Sequence, residues 1–167
     1  MFNKKLAIVG ASGAVGRVFI ELLDEIYPGT KDLFLVASKR SAGRSMFCGK
    51  QEFIIQDIEE FDFSQVEIAF FSAGAETAEK YAPIAVSKGC TVIDNSSQFR
   101  TDSDKPLIVP EVNSKDLKNF KLPGIIANPN CSTAQLVVAL KPVHDLFKIE
   151  RVDVASYQSV SGTGKEG

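Results

Sequence analysis

The chain has 167 residues, 44% of them apolar and 24% charged, a composition that supports one packed core and part of a second. Its net charge of −2, with no long basic run, excludes an electrostatic footprint for nucleic acid or for an acidic membrane surface. No apolar stretch approaches the roughly 18 residues that span a bilayer, so no membrane partner is expected and the chain reads as cytoplasmic.

In chain order, residues 5–9 form a short β-branched apolar run, too brief for a signal-peptide core, and read as a first strand. The run ends in "GASGAVG", with Gly10, Gly13 and Gly16. A helical pattern then follows through Val15, Val18, Phe19, Leu22, Leu23 and Ile26, and Pro28 and Gly29 break it. Glycines between a strand and a helix let the backbone turn tightly and approach a pyrophosphate, which the free N–H groups of the helix start then bind. The spacing GxxGxxG differs from the commoner GxGxxG, and a tight turn that binds nothing has the same form. Residues 33–37 are the second apolar run. Where an NAD-selective site carries Asp or Glu after this strand, the chain has Ser38, Lys39, Arg40 and Ser41. Hydroxyls and a cation suit a 2′-phosphate, so NADP is expected over NAD. A solvated basic loop is the alternative, above all for Lys39.

The polar segment 38–51 reads as a loop, residues 52–55 as a strand, and 66–71 as a buried strand. Ser72, Ala73 and Gly74 follow as a small-residue turn where a cofactor can lie close. A helix capped by Gly89 comes next, then a strand at 91–93. After it, "DNSSQFR" (94–100) ends in Arg100, whose planar fork suits a phosphate or carboxylate. Short strands are expected at 107–109 and 125–127. Strands apolar on both faces, alternating with helices, indicate a parallel sheet covered by helices, with ligands at the carboxyl ends of its strands.

Past residue 127 the pattern changes. Ala134, Leu136, Val137, Leu140, Val143 and Phe147 fit one face of a longer helix, and residues 151–160 alternate as a half-exposed strand of another sheet. Three cysteines, Cys48, Cys90 and Cys131, are odd in number and widely spaced without CxxC, so neither a disulfide framework nor a metal site is implied. Cys48 and Cys90 read as inert. Cys131 lies between Asn130 and Ser132 at a helix start, where positive potential favours a thiolate; a small buried hydrophobe is the alternative. His144, the only histidine, lies thirteen residues on, about 20 Å along the same helix, and is given a structural role. Gln158 and the Ser161–Gly162 turn are weaker polar candidates in "SYQSVSGTG".

Taken together, "GASGAVG", "SKRSAG", "FSAG", "DNSSQFR", "VPEVN", "NPNCST" and "YQSVSGTG", in that order, resemble the N-terminal half of the bacterial aspartate-semialdehyde dehydrogenase family. The resemblance implies a Rossmann-like, doubly wound, mostly parallel α/β sheet at 1–128 that binds NADP. The start of a second, α+β catalytic and dimerisation domain is implied at 129–167, with the chain stopping inside it. It further implies a small-molecule substrate, aspartyl-β-phosphate, reduced to aspartate semialdehyde and phosphate by a homodimer or homotetramer. Cys131 then matches the nucleophile that forms a thioester, Gln158 the residue that orients the intermediate, and Arg100, with Asn130 beside it, the phosphate site. Ser12, Gly13, Ala14 and Val15 match the pyrophosphate turn, Arg40 and Ser41 the 2′-phosphate contact, and Ser161 and Gly162 a later cofactor contact. The family's catalytic histidine and substrate-carboxylate arginine have no counterpart here, so this chain by itself is expected to be inactive. A related acyl-phosphate reductase, such as an acetylglutamyl-phosphate reductase, and a non-catalytic dinucleotide-binding module are the alternatives.

Overall fold

The computed structural model describes residues 4–157. At its centre lies β1 (Leu6–Val9), whose four side chains are all buried. A strand apolar on both faces needs cover on both faces, and two helices begin to supply it. α1 (Ala14–Ile26) packs Gly16, Ile20 and Leu23 onto one side of the sheet. α2 (Ala75–Ser87) packs Ala78, Ala82 and Ala85 onto the other. Alanine at i, i+4 and i+7 lets α2 approach closely, and Phe61, Phe63 and Phe71 fill the space beside it. Phe61 meets Phe63 edge-on, with ring centroids 5.0 Å apart.

The remaining strands are β2 (Leu33–Ala37), β3 (Ser45–Cys48), β4 (Gln51–Asp57), β5 (Ile68–Phe71), β6 (Thr91–Asp94) and β7 (Ile125–Ala127). They form one seven-stranded sheet in the order β3-β4-β2-β1-β5-β6-β7. Every pairing is parallel except β3 with β4. Without β3, the chain runs outward from β1 in both directions. That is the doubly wound, Rossmann-like plan, with its switch point between β1 and β5.

Three expectations are corrected. The segment read as a polar loop contains a strand: β3 pairs antiparallel with β4 across the two-residue turn Gly49–Lys50, where Gly49 takes φ 58°. A glycine in that position is a hairpin signal, and the polar flanks hid it. Residues 107–109 make only a single bridge, Leu107 to Ala127, because Val109 turns the chain into the four-residue helix α3 (Pro110–Asn113). Of the strand expected at 151–160, residues 151–157 form none, since a strand needs a ladder partner and none lies beside them among the described residues; residues 158–160 lie outside the described residues.

The expected long helix is present as α4 (Cys131–Phe147), but none of its residues is buried. Leu146 and Phe147 are 76% and 78% exposed. Of its apolar face, Ala134, Leu136, Val137 and Leu140 are only half-buried, while Val143, Leu146 and Phe147 are exposed. Val15, Val18, Leu22 and Ile26 of α1 are likewise exposed rather than core. The side of α1 that reaches the sheet is the one made narrow by Gly16.

Candidate active site

The carboxyl ends of the parallel strands form one rim, and most of the residues singled out in the sequence stand on it. Following the sheet order, β2 leads to Ser38–Ser41, β1 to Gly10–Gly16, β5 to Ser72–Gly74, β6 to Asn95–Arg100, and β7 to Asn128–Cys131. With strands about 4.8 Å apart, the β1 and β7 ends are separated by roughly 14 Å.

At the β1 end, the Gly10 N–H donates to Val36 O at 2.8 Å and the Gly13 N–H to Gly10 O at 2.9 Å. Gly13 is the residue before α1, no side chain caps that helix, and its first turn has no acidic residue. Its first N–H groups therefore have no partner within the helix, which fits a bound pyrophosphate. Ser12 Oγ donates to Ser41 Oγ at 3.0 Å, tying the glycine turn to the loop after β2. Ser41 is buried, while Ser38, Lys39 and Arg40 are exposed. No acid occupies residues 38–44, so the loop offers hydroxyls and cations to a phosphate. On the other side, the Ser72 N–H and Oγ both donate to Val9 O, at 2.9 and 3.3 Å. Around Gly74 there is open space. The donor set and the openness fit a dinucleotide.

At the β6 end, Asp94 is fully buried. It accepts from the Ser96 N–H at 3.1 Å and Ser96 Oγ–H at 2.7 Å, and Ser96 Oγ accepts from the Gln98 N–H at 3.1 Å. Burial pushes its carboxyl above the usual carboxylate range; the Ser96 bonds and the Arg100 charge oppose that without cancelling it. A carboxyl raised on folding contributes stability that is fully present below about pH 4, its unfolded value, and is lost as pH rises through its folded value. The melting temperature of the wild type minus that of Asp94→Asn, a variant that cannot titrate, is therefore expected to fall as pH rises from about 4 towards neutrality. A difference that stays flat, or rises with pH, would contradict the sign.

Arg100 closes this loop onto the next. Its Nε donates to Asn128 O at 2.9 Å and its Nη2 to Asn95 O at 3.1 Å. Two of its five N–H donors are thus used, on carbonyls. No carboxylate forms an ion pair with it among the described residues. Charge and three donors remain for an anion.

Cys131 is the first residue of α4 and is exposed. Asn130 caps the helix, accepting from the Ser132 N–H at 3.0 Å and Ser132 Oγ–H at 2.6 Å, with Cys131 Sγ 3.9 Å from the same oxygen. The other thiols are buried: Cys90 is pushed up to about 12 by burial, and Cys48, at the end of β3, is raised by burial and then by Asp24. His144 lies in α4, remote from the rim. Gln158, Ser161 and Gly162 lie outside the described residues. Asp94, Asn95 and Asn128 did not stand out in the sequence as separate actors; their signal was a polar residue ending a buried strand, for Asp94, or directly following one, for Asn95 and Asn128. No helix among the described residues is long and apolar enough to cross a membrane, and no group of three or more His, Cys, Asp or Glu is placed to hold a metal ion.

Comparisons with known proteins agree with this geometry. The family model described as semialdehyde dehydrogenase, NAD binding domain, matches residues 5–120. An aspartate-semialdehyde dehydrogenase of Shewanella violacea is 56% identical over 162 residues, covering 96% of this chain and 48% of the relative. The structure of aspartate semialdehyde dehydrogenase II of Vibrio cholerae complexed with ASA superposes with a TM-score of 0.93 at 51% identity, over 99% of this chain and 49% of that one. A Candida albicans aspartate semialdehyde dehydrogenase with NADP matches with a TM-score of 0.73 at 31% identity, over 87% of this chain and 48% of that one. The chain spans about half the length of the curated relatives it matches. A doubly wound sheet whose glycine turn, cationic loop and cysteine share one rim, matched along residues 5–120, makes this chain a member of the semialdehyde dehydrogenase family through its NAD-binding domain.

Proposed function

We propose that this chain is the NADP-binding and nucleophile-bearing part of a cytoplasmic aspartate-semialdehyde dehydrogenase, which reduces aspartyl-β-phosphate to aspartate semialdehyde and phosphate. The observation that carries the reading is an exposed cysteine at a helix start, on the same sheet rim as an uncapped glycine turn and an arginine that forms no ion pair with a carboxylate among the described residues. Names borne by the relatives supply the substrate.

In this reading the Cys131 sulfur attacks the acyl-phosphate carbonyl. The carbon–sulfur bond forms, the carbon–oxygen bond to phosphate breaks, and the phosphate leaves with its electron pair. Arg100 holds that leaving group through its remaining N–H donors, with Asn130 beside it. NADPH, when bound, supplies the hydride that reduces the thioester carbon, and the thiolate departs as the aldehyde forms. The glycine turn and α1 start hold the pyrophosphate, Arg40 and Ser41 the 2′-phosphate, and Ser72–Gly74 leave room beside the cofactor. Gln158, Ser161 and Gly162 keep the orienting and cofactor roles their motif implies. Residues 1–128 form the dinucleotide-binding domain and 129–167 the opening of a catalytic one. In support, no described residue beyond Pro129 is buried. The incompletely covered apolar side of α4, with Val143, Leu146 and Phe147 exposed, is the surface that the remainder of a homodimer or homotetramer would cover.

Titrating NADPH and NADH into this chain and following nicotinamide fluorescence tests the cofactor assignment. NADPH is expected to bind more tightly. Arg40→Ala is expected to weaken NADPH about tenfold, the loss of one charge-assisted phosphate contact, and to leave NADH unchanged. Absence of any signal at millimolar NADPH, or equal weakening of both nucleotides, would overturn it.

A further inference from the structure

The loops after β6 and β7 are joined by more than Arg100. Asn128 Nδ2 donates to Asn95 Oδ1 at 2.6 Å, and the same two residues present the carbonyls that hold Arg100 Nε and Nη2. Side chain to side chain and guanidinium to two backbones, the contacts close a ring across neighbouring strands. Each strand end is itself fixed: the Asn95 N–H donates to Phe71 O at 2.9 Å and the Asn128 N–H to Asp94 O at 2.8 Å. Asn128 stands three residues before Cys131, a reach of at most about 10 Å. An arginine held by one carbonyl can swing about its stem; one gripped at two points along its Nε–Nη2 edge from two anchored loops cannot.

We propose that Asn95 and Asn128 are positioning residues: their side-chain hydrogen bond sets the spacing of the two carbonyls, and so aims the free edge of Arg100 at the anion that meets Cys131. This rests on the reading that Arg100 and Cys131 serve one site. The amide of Asn128 is the donor that neither aspartate nor alanine supplies, and the Asn95 oxygen is its acceptor. Because carbonyls rather than carboxylates hold the guanidinium, the device orients the charge without neutralising it.

The test alkylates the thiols of this chain with anionic iodoacetate and with neutral iodoacetamide, and takes the ratio of the Cys131 rates relative to the same ratio for free glutathione. The wild-type ratio is expected to exceed that of glutathione about three- to tenfold, from one positive charge held against the loop that leads into Cys131. Arg100→Ala should return it to the glutathione value. Asn95→Ala and Asn128→Ala should each remove most of the excess while leaving the iodoacetamide rate unchanged. The double variant should fall no further than either single one, and neither substitution should act in the Arg100→Ala background. A loop that had merely loosened would change both reagents alike. Buried Cys48 and Cys90 report unfolding if they begin to label; should alanine cause that, Asn95→Ser and Asn128→Ser are read instead. A ratio insensitive to Arg100→Ala would overturn the shared site. A ratio lost in Arg100→Ala but kept in both asparagine variants would overturn the positioning role and leave the shared site standing.

Discussion

Cys131→Ala, made in a polypeptide that joins this chain to a second half like that of its relatives, is expected to lower kcat by about 10⁴- to 10⁶-fold, with the Kd for NADPH changed by less than about twofold. The size follows from what the sulfur does in the proposed reaction. Hydride addition to an acyl phosphate has to proceed at a carbonyl still carrying a bulky dianion. Replacing phosphate by sulfur first splits that step into two lower barriers, and no neighbouring side chain offers a substitute: Ser132 is engaged with Asn130, and the other two thiols are buried. Cofactor binding is spared because the glycine turn lies three strands away. Cys131→Ser should be nearly as inactive, since a hydroxyl is a far poorer nucleophile at neutral pH. Cys90→Ala, a small change in the core, should keep activity. Retention of more than about 1% of kcat in Cys131→Ala would remove the thioester from the scheme.

The sheet was legible because parallel strands buried on both faces read as unbroken apolar runs. LAIV, LFLVA and IAFF needed no neighbours to be recognised. The hairpin was not legible, because β3 is a four-residue edge strand that turns the apolar Phe47 outward, so its residue types do not show the alternation of its burial. The error at 107–109 has the same root: three apolar residues suffice for a bridge but not for a ladder, and the proline at 110 favours a helix start over continuation. The segment 151–157 alternates as a strand should, yet pairing is a property of two segments and one sequence pattern shows only one of them. Among the site residues, those carrying recognisable chemistry (Cys131, Arg100, the glycines) were visible singly. What fixes their relation was not. The Ser12–Ser41 bond spans 29 positions and the Asn95–Asn128 bond 33, and neither is written in any local pattern.

The glycine turn sets the second large expectation. Gly10→Ala should destabilise the chain by about 2–5 kcal/mol, a melting temperature lower by roughly 5–15 °C, and should abolish NADPH binding. Two contributions add. Gly10 sits at φ 88°, a left-handed conformation that costs a residue with a β-carbon about 1–2 kcal/mol. That carbon would also lie 2.7 Å from Ser72 O, 2.8 Å from Ser72 C and 3.0 Å from Ala73 N. Those atoms are backbone, pinned by the Ser72 N–H to Val9 O bond at the end of β5, so no side chain can swing aside. Relief has to come from parting β1 and β5 at the switch point, which carries overpacking of about 1–3 kcal/mol and displaces the α1 start from the rim. Gly29→Ala separates the two contributions. It shares the positive φ, at 77°, but has nothing within 4 Å of the added carbon, so it should cost only the conformational part, about 1–2 kcal/mol. Equal losses for the two variants would mean that the approach of the β1 and β5 loops contributes nothing, and that Gly10 is present for its turn alone.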